Sequence, residues 1–125
     1  MTNYILAQTS TYWWPVTVRC PDPTTPGKFV KRTFEAEFEF RHQDQLIEEE
    51  ERVRNAVGQR AQIAAERANL VGRICGWRGV KDVLGDDVAF TKERLAAEMG
   101  NSLFRIGVYE AIRESMSGEE ALLGN

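Results

Sequence analysis

From Val30 to Arg41 the chain alternates apolar and polar residues, and this period of two constrains the fold more than any other feature. Val30, Phe34, Ala36, Phe38 and Phe40 fall on one side, while Thr33, Glu35, Glu37, Glu39 and Arg41 fall on the other. Arg32 alone interrupts the apolar side. A helix would scatter these phenylalanines around its axis, whereas a strand gathers them on one face. A shorter alternation precedes it: from Trp14 onward, Val16, Val18 and Cys20 oppose Thr17 and Arg19. Between the two lies Pro21–Lys28, PDPTTPGK, whose prolines and glycine forbid both helix and ladder. The pattern predicts a hairpin with a long loop. Two strands alone are marginal in water, so the phenylalanine face must be covered by the helices C-terminal to it.

The next region is strongly helical. From Asp44 to as far as Cys75, the residues Leu46, Val53, Val57, Ala61, Ala64, Ala68, Val71 and Cys75 form a narrow, alanine-rich stripe. Gly58 and Gly72 each weaken a helix by about 1 kcal/mol relative to alanine, which places a break near Gly58. The Glu48–Glu51 run repels itself, although its place in the early turns suits the helix dipole.

The stretch Gly76–Leu95, GWRGVKDVLGDDVAFTKERL, reads as a compact corner. Trp77, Val80, Val83, Leu84, Val88 and Phe90 are expected to bury a large apolar load there, with Gly76, Gly79 and Gly85 supplying positive φ. Thr91 is placed to cap a helix from Lys92 to about Met99, with Glu93 near its positive end and Gly100-Asn101 as its stop. A last helix runs from Ser102 to about Met116, with Phe104, Val108, Ala111 and Ile112 along one side. The order predicts an α+β fold: an N-terminal β-hairpin or small antiparallel sheet packed on a C-terminal bundle of three to four helices. One domain is expected over 1–125, with a β-rich part at 12–41, a helical part at 44–116 and a tail at 117–125, frayed or held by a partner.

Composition narrows the function classes. The 19 acidic and 16 basic residues leave a net charge of -3, so no overall basic field attracts a phosphate backbone, and no nucleic-acid partner is expected. No window approaches the roughly 20 consecutive apolar residues of a membrane span, so no membrane partner is expected. The start, MTNYILAQTS, has neither a basic segment nor an apolar run of signal-peptide type. Cys20 and Cys75 belong to no metal-ligand cluster and are expected as small apolar side chains in a reducing cytoplasm.

Catalytic devices are missing as well. The single histidine, His42, sits beside Gln43 and Asp44 at the strand-to-helix junction, with no nucleophile elbow anywhere to serve it. Glu35, Glu37 and Glu39 read as a solvated strand face, and Asp86 and Asp87 as turn residues. Arg52, Arg54, Arg60 and Arg67 interleave with Glu49, Glu50, Glu51 and Glu66 as on a salt-bridged helix surface. Gly76-Trp77-Arg78-Gly79 lacks the spacing and the lysine of a phosphate-binding loop. No enzyme activity, cofactor or metal is expected. Trp13 and Trp14 are neighbours and must face opposite sides of a strand, so at least one stays exposed unless the fold or a partner covers it. The candidate partner contacts are Trp13, Trp14, Trp77, Phe90, Leu122 and Leu123.

Several segments together resemble the small tail assembly chaperones of long-tailed bacteriophages. They are WWPVTVRCPDP, the strand FEAEFEF leading into DQLIEEEERVR, GWRGVKDVLGDDVAFTKERLAAEM, and the closing FRIGVYEAIRESM with ALLGN. The resemblance implies a non-catalytic protein of the host cytoplasm, absent from the mature virion. Such a protein binds the tape measure protein, and in some cases the tail tube protein, and keeps the tape measure soluble while the tube polymerises. Self-association through the alanine stripe is a further expectation. The competing readings are a structural virion component, such as a head-tail joining or tail-terminator ring subunit, and a small nucleic-acid-binding regulator.

Overall fold

A computed structural model of the chain describes residues 2–6 and 10–118. Strands β1 (Thr11–Pro21) and β2 (Phe29–Glu39) form the hairpin, joined by the proline-rich loop. Their register runs from Thr11 opposite Glu39 to Pro21 opposite Phe29. In the loop, Asp22 Oδ1 accepts hydrogen bonds from the Thr24 amide and hydroxyl, and the Asp22 amide donates to the Lys28 carbonyl. The two threonine bonds hold the Asp22 carboxyl below its ordinary range. Pro15 lies inside β1, which is tolerable because β1 is an edge of the sheet.

Two helices come next, α1 (Gln43–Asn55) and α2 (Gln59–Arg73), with the break at Ala56–Gly58 that the sequence predicts. Gly58 adopts φ +92°, a backbone conformation that glycine reaches without strain. The chain then passes without a linker from α2 into a third strand, β3 (Ile74–Arg78). This corrects the expectation of helix as far as Cys75. β3 pairs antiparallel with β2, giving the order β1-β2-β3, and a bulge between Glu37 and Phe38 leaves Cys75 outside the paired positions. Gly76 is a strand residue without positive φ, unlike Gly79 and Gly85.

After the loop come α3 (Lys92–Glu98) and α4 (Ser102–Ser117). Thr91 Oγ1 accepts from the Arg94 amide, the cap expected of it. Asn101 caps the start of α4, accepting from the Leu103 and Phe104 amides, and so begins a helix rather than ending one. The α+β class stands, with a three-stranded antiparallel sheet and four helices among the described residues.

The core lies between one face of the sheet and α2, α3 and α4. Val16, Ala36, Phe38, Ile74, Leu95, Met99 and Val108 are buried there, with Val18, Leu70, Phe104 and Ala111. α4 crosses β1 closely at Gly107, where a β-carbon would stand 2.6 Å from the Thr17 carbonyl oxygen. An aromatic chain joins the layers. Phe34 stacks on Phe104 at 5.6 Å, while Trp77 meets Phe34 and Phe90 edge-on at 6.5 and 5.2 Å. Trp77 Nε1 donates to the Val88 carbonyl at 2.8 Å, tying β3 to the loop beyond it.

Candidate functional site

Among the described residues, α1 and α2 form an arm that keeps most of its surface in solvent. α1 contains no buried residue, and α2 buries only Leu70 and Arg73 in its last turn. Ile47 is 43 % exposed, Ile63 37 % and Val57, at the tip, 92 %. Ala61, Ala64 and Ala68 of the alanine stripe are exposed as well, while Leu46 and Val53 are half-buried between the helices. Two helices of 13 and 15 residues therefore pack on each other, with only the last turn of α2 reaching into the core. Helices normally gain most of their stability by burying such a face.

The arm is rooted by polar contacts. The guanidinium of Arg41, just after β2, reaches three elements at once: Glu39 at 2.9 Å, Glu49 of α1 at 3.1 Å and the Gly72 carbonyl of α2 at 3.0 Å. The Arg41 and Glu49 side chains are mostly buried. Burial opposes the Arg41 charge, but the two carboxylates outweigh it and raise its pKa. Asn69 Nδ2 donates to the Glu49 carbonyl at 3.0 Å. Lys92 Nζ donates to the Val71 and Ile74 carbonyls at 2.6 and 2.7 Å, satisfying acceptors at the end of α2. Farther up α2, Glu66 faces Tyr109 of α4, whose hydroxyl is raised in pKa by burial and then by that carboxylate.

The glutamates of β2 are engaged rather than simply solvated. Arg78 holds Glu35 through both its Nε and Nη2, at 2.9 and 3.3 Å, and pulls the carboxyl below its ordinary range. Glu37 accepts from Thr11 Oγ1 at 2.7 Å. Trp13 lies on this same outer face with the Arg78 guanidinium over its ring at 4.1 Å, and its far edge comes close to Gly76. It is 37 % exposed. Trp14 points to the opposite face and packs against the core, as do Trp77 and Phe90. Leu122 and Leu123 lie outside the described residues.

The corner departs most from its sequence reading. Trp77, Val80, Val88 and Phe90 are half-buried, but Val83 is fully exposed and Leu84 is 82 % exposed. The loop that carries them is closely built. Asp82 Oδ1 accepts from the Leu84 and Asp86 amides, the Asp82 amide donates to the Asp86 carbonyl, and Lys81 pairs with Asp87 at 2.5 Å. These bonds spend the loop's polar groups on its own shape and leave the two aliphatic side chains at the tip.

No group of three His, Cys, Asp or Glu side chains among the described residues could hold a metal ion. Two open hollows, of about 520 and 210 Å³, lie along the arm; Glu48, Arg52 and Ala56 line the larger, Arg41, Glu49 and Asn69 the smaller. His42 is exposed at the start of α1, where Gln45 accepts from its backbone amide. Both cysteines are free, and burial foremost raises the pKa of the Cys75 thiol. No described helix is long and apolar enough to cross a membrane.

Sequence reasoning passed over Ile47 and Ile63 because they sit off the Leu46–Cys75 stripe. Two large aliphatics outside the expected buried face were the available signal. No family model, curated protein or solved structure matches the chain.

Proposed function

We propose that this chain is a non-catalytic tail assembly chaperone of the host cytoplasm that binds the tape measure protein and keeps it soluble until the tail tube polymerises. The observation that carries the reading is the uncovered α1–α2 arm, with no buried residue in α1 and with Ile47 and Ile63 exposed along it. Such a pair of helices accepts a third amphipathic helix in the groove between them. A tape measure protein is a long helical polypeptide whose apolar faces need cover until assembly, so it presents that kind of helix. The resemblance of the sequence to the small tail chaperones supports the same partner. The exposed Glu48, Glu50 and Glu51 favour a partner helix with basic flanks.

Co-expression with the tape measure protein encoded nearby tests this directly. The reading expects co-purification, a soluble tape measure, and absence of the chain from assembled tails. It also expects that Ile47→Asp with Ile63→Asp lowers the co-purified amount at least tenfold. An insoluble tape measure together with the chain in purified particles would replace this reading with that of a structural virion component.

A further inference from the structure

The two most exposed aliphatic sites on regular or well-bonded backbone are the 81–87 loop tip and the tip of the arm, and their charges are opposite. Val83 and Leu84 project from a loop whose sequence, KDVLGDD, carries three aspartates against one lysine. That lysine is already paired with Asp87, and the Asp86 carboxylate makes no ion pair among the described residues. At the arm tip, Arg52–Arg60, RVRNAVGQR, carries three arginines and no acid around Val57, which is 92 % exposed. Arg52, Arg54 and Arg60 make no side-chain hydrogen bond or ion pair among the described residues.

Both tips are uncovered in one and the same chain, so neither serves the other within it. α2 is about 22 Å long at 1.5 Å per residue, which sets the arm tip that far along the helix axis from the start of β3. A second copy can satisfy both requirements. We infer that copies of this chain associate head to tail: the acidic, Val83–Leu84 loop tip of one copy seats against the basic, Val57 arm tip of the next. The two patches differ, so a single contact leaves one loop tip and one arm tip free; repetition builds a ring or an open chain, and a two-fold dimer arises only where both contacts close between the same two copies. Apolar contact supplies the attraction, and the Asp86 and arginine charges set the register. Of the alanine-rich stripe only Val57 at the arm tip takes part, and the proposed tape measure groove at Ile47 and Ile63 does not, so the inference stands or falls apart from the proposed function.

The test needs only the purified full chain and two surface variants. Sedimentation velocity and light scattering of the wild type should show species heavier than the 14.2 kDa monomer that grow with concentration and shrink with added salt. Leu84→Asp should weaken association at least tenfold, and Val57→Asp should do the same. Both substitutions are at exposed positions, and circular dichroism should show the wild-type spectrum. Mixed in equal amounts, the two variants should form a complex of twice the monomer mass, because each keeps one intact half of the contact. A monomeric wild type at every concentration overturns the inference. So does undiminished association of either variant. A mixture that stays monomeric while both variants are folded also overturns it, since an intact loop tip and an intact arm tip then meet without binding.

Discussion

The sheet with α3 and α4, and the arm of α1 and α2, both carry helix-forming and apolar residues but are held in opposite ways. In the first region Phe38, Ile74, Leu95, Met99, Val16 and Val108 are fully buried, and aromatic rings link β2, β3 and α4. In the second, α1 buries nothing, and its attachment rests on the Arg41 and Asn69 contacts at its root. The first region holds most of the buried core, whereas the arm contributes only Leu70 and Arg73 to the buried interior, both from the last turn of α2. An unfilled helical face beside a filled core is the arrangement expected of a protein that completes itself on a partner.

The largest test of that contrast is Phe38→Ala. Emptying the most central aromatic position should cost about 3–5 kcal/mol in denaturant titrations. A loss below ~1 kcal/mol would mean that the core is not where the stability resides. Gly107→Ala sharpens the same point through its sign. Helix propensity alone predicts a gain of about 1 kcal/mol. The Thr17 carbonyl at 2.6 Å instead predicts a loss of about 1–3 kcal/mol, as α4 is pushed off β1.

Arg41→Ala separates the regions. It should cost about 1–2 kcal/mol and raise amide hydrogen exchange in α1 and the first turns of α2, while β1 and β2 keep their protection. Equal loosening of the sheet would make the arm part of the core after all. Ile47→Ser with Ile63→Ser should cost about 1 kcal/mol, far less than Phe38→Ala, as expected of side chains that keep more than a third of their surface in solvent.

The smallest effect concerns pH. The Glu35 carboxyl is held below its ordinary range by Arg78, so its ion pair adds stability above that range, and this is lost as pH falls through the lowered value. Both side chains are about half exposed, so the contribution is slight. Glu35→Gln should lower neutral and alkaline stability by that small amount, leave strongly acid stability unchanged, and so flatten the acid side of the profile. A variant with an unaltered acid slope would show the pair to be energetically silent.

Much of this architecture was legible in local pattern. The alternation through Val16–Cys20 and Val30–Phe40 specifies two strands, and PDPTTPGK specifies the loop between them, because proline and strand period act over a few residues. Thr91 as a cap, the break near Gly58 and the buried side of α4 come from equally short-range rules. β3 was hidden because ICGWR is short, carries a glycine, and succeeds a helix with no turn residue to mark the change. Its state depends on pairing with Glu35–Phe38, far away in sequence. Asn101 was misread for a related reason: the same residue type stops one helix and starts the next, and only the backbone between them decides.

The candidate surfaces divide in the same way. Composition and spacing were enough to specify the α+β class, the strand faces and the run of helices, since each depends on neighbours within a turn or a strand. Which apolar residues are inside was decided by tertiary packing. Val83 and Leu84 have the composition of a core, yet the bonds around Asp82 close their loop before any layer reaches it. Ile47, Val57 and Ile63 are exposed because the remaining helices are already spent on the sheet, and burial requires a second surface that the described chain does not itself supply.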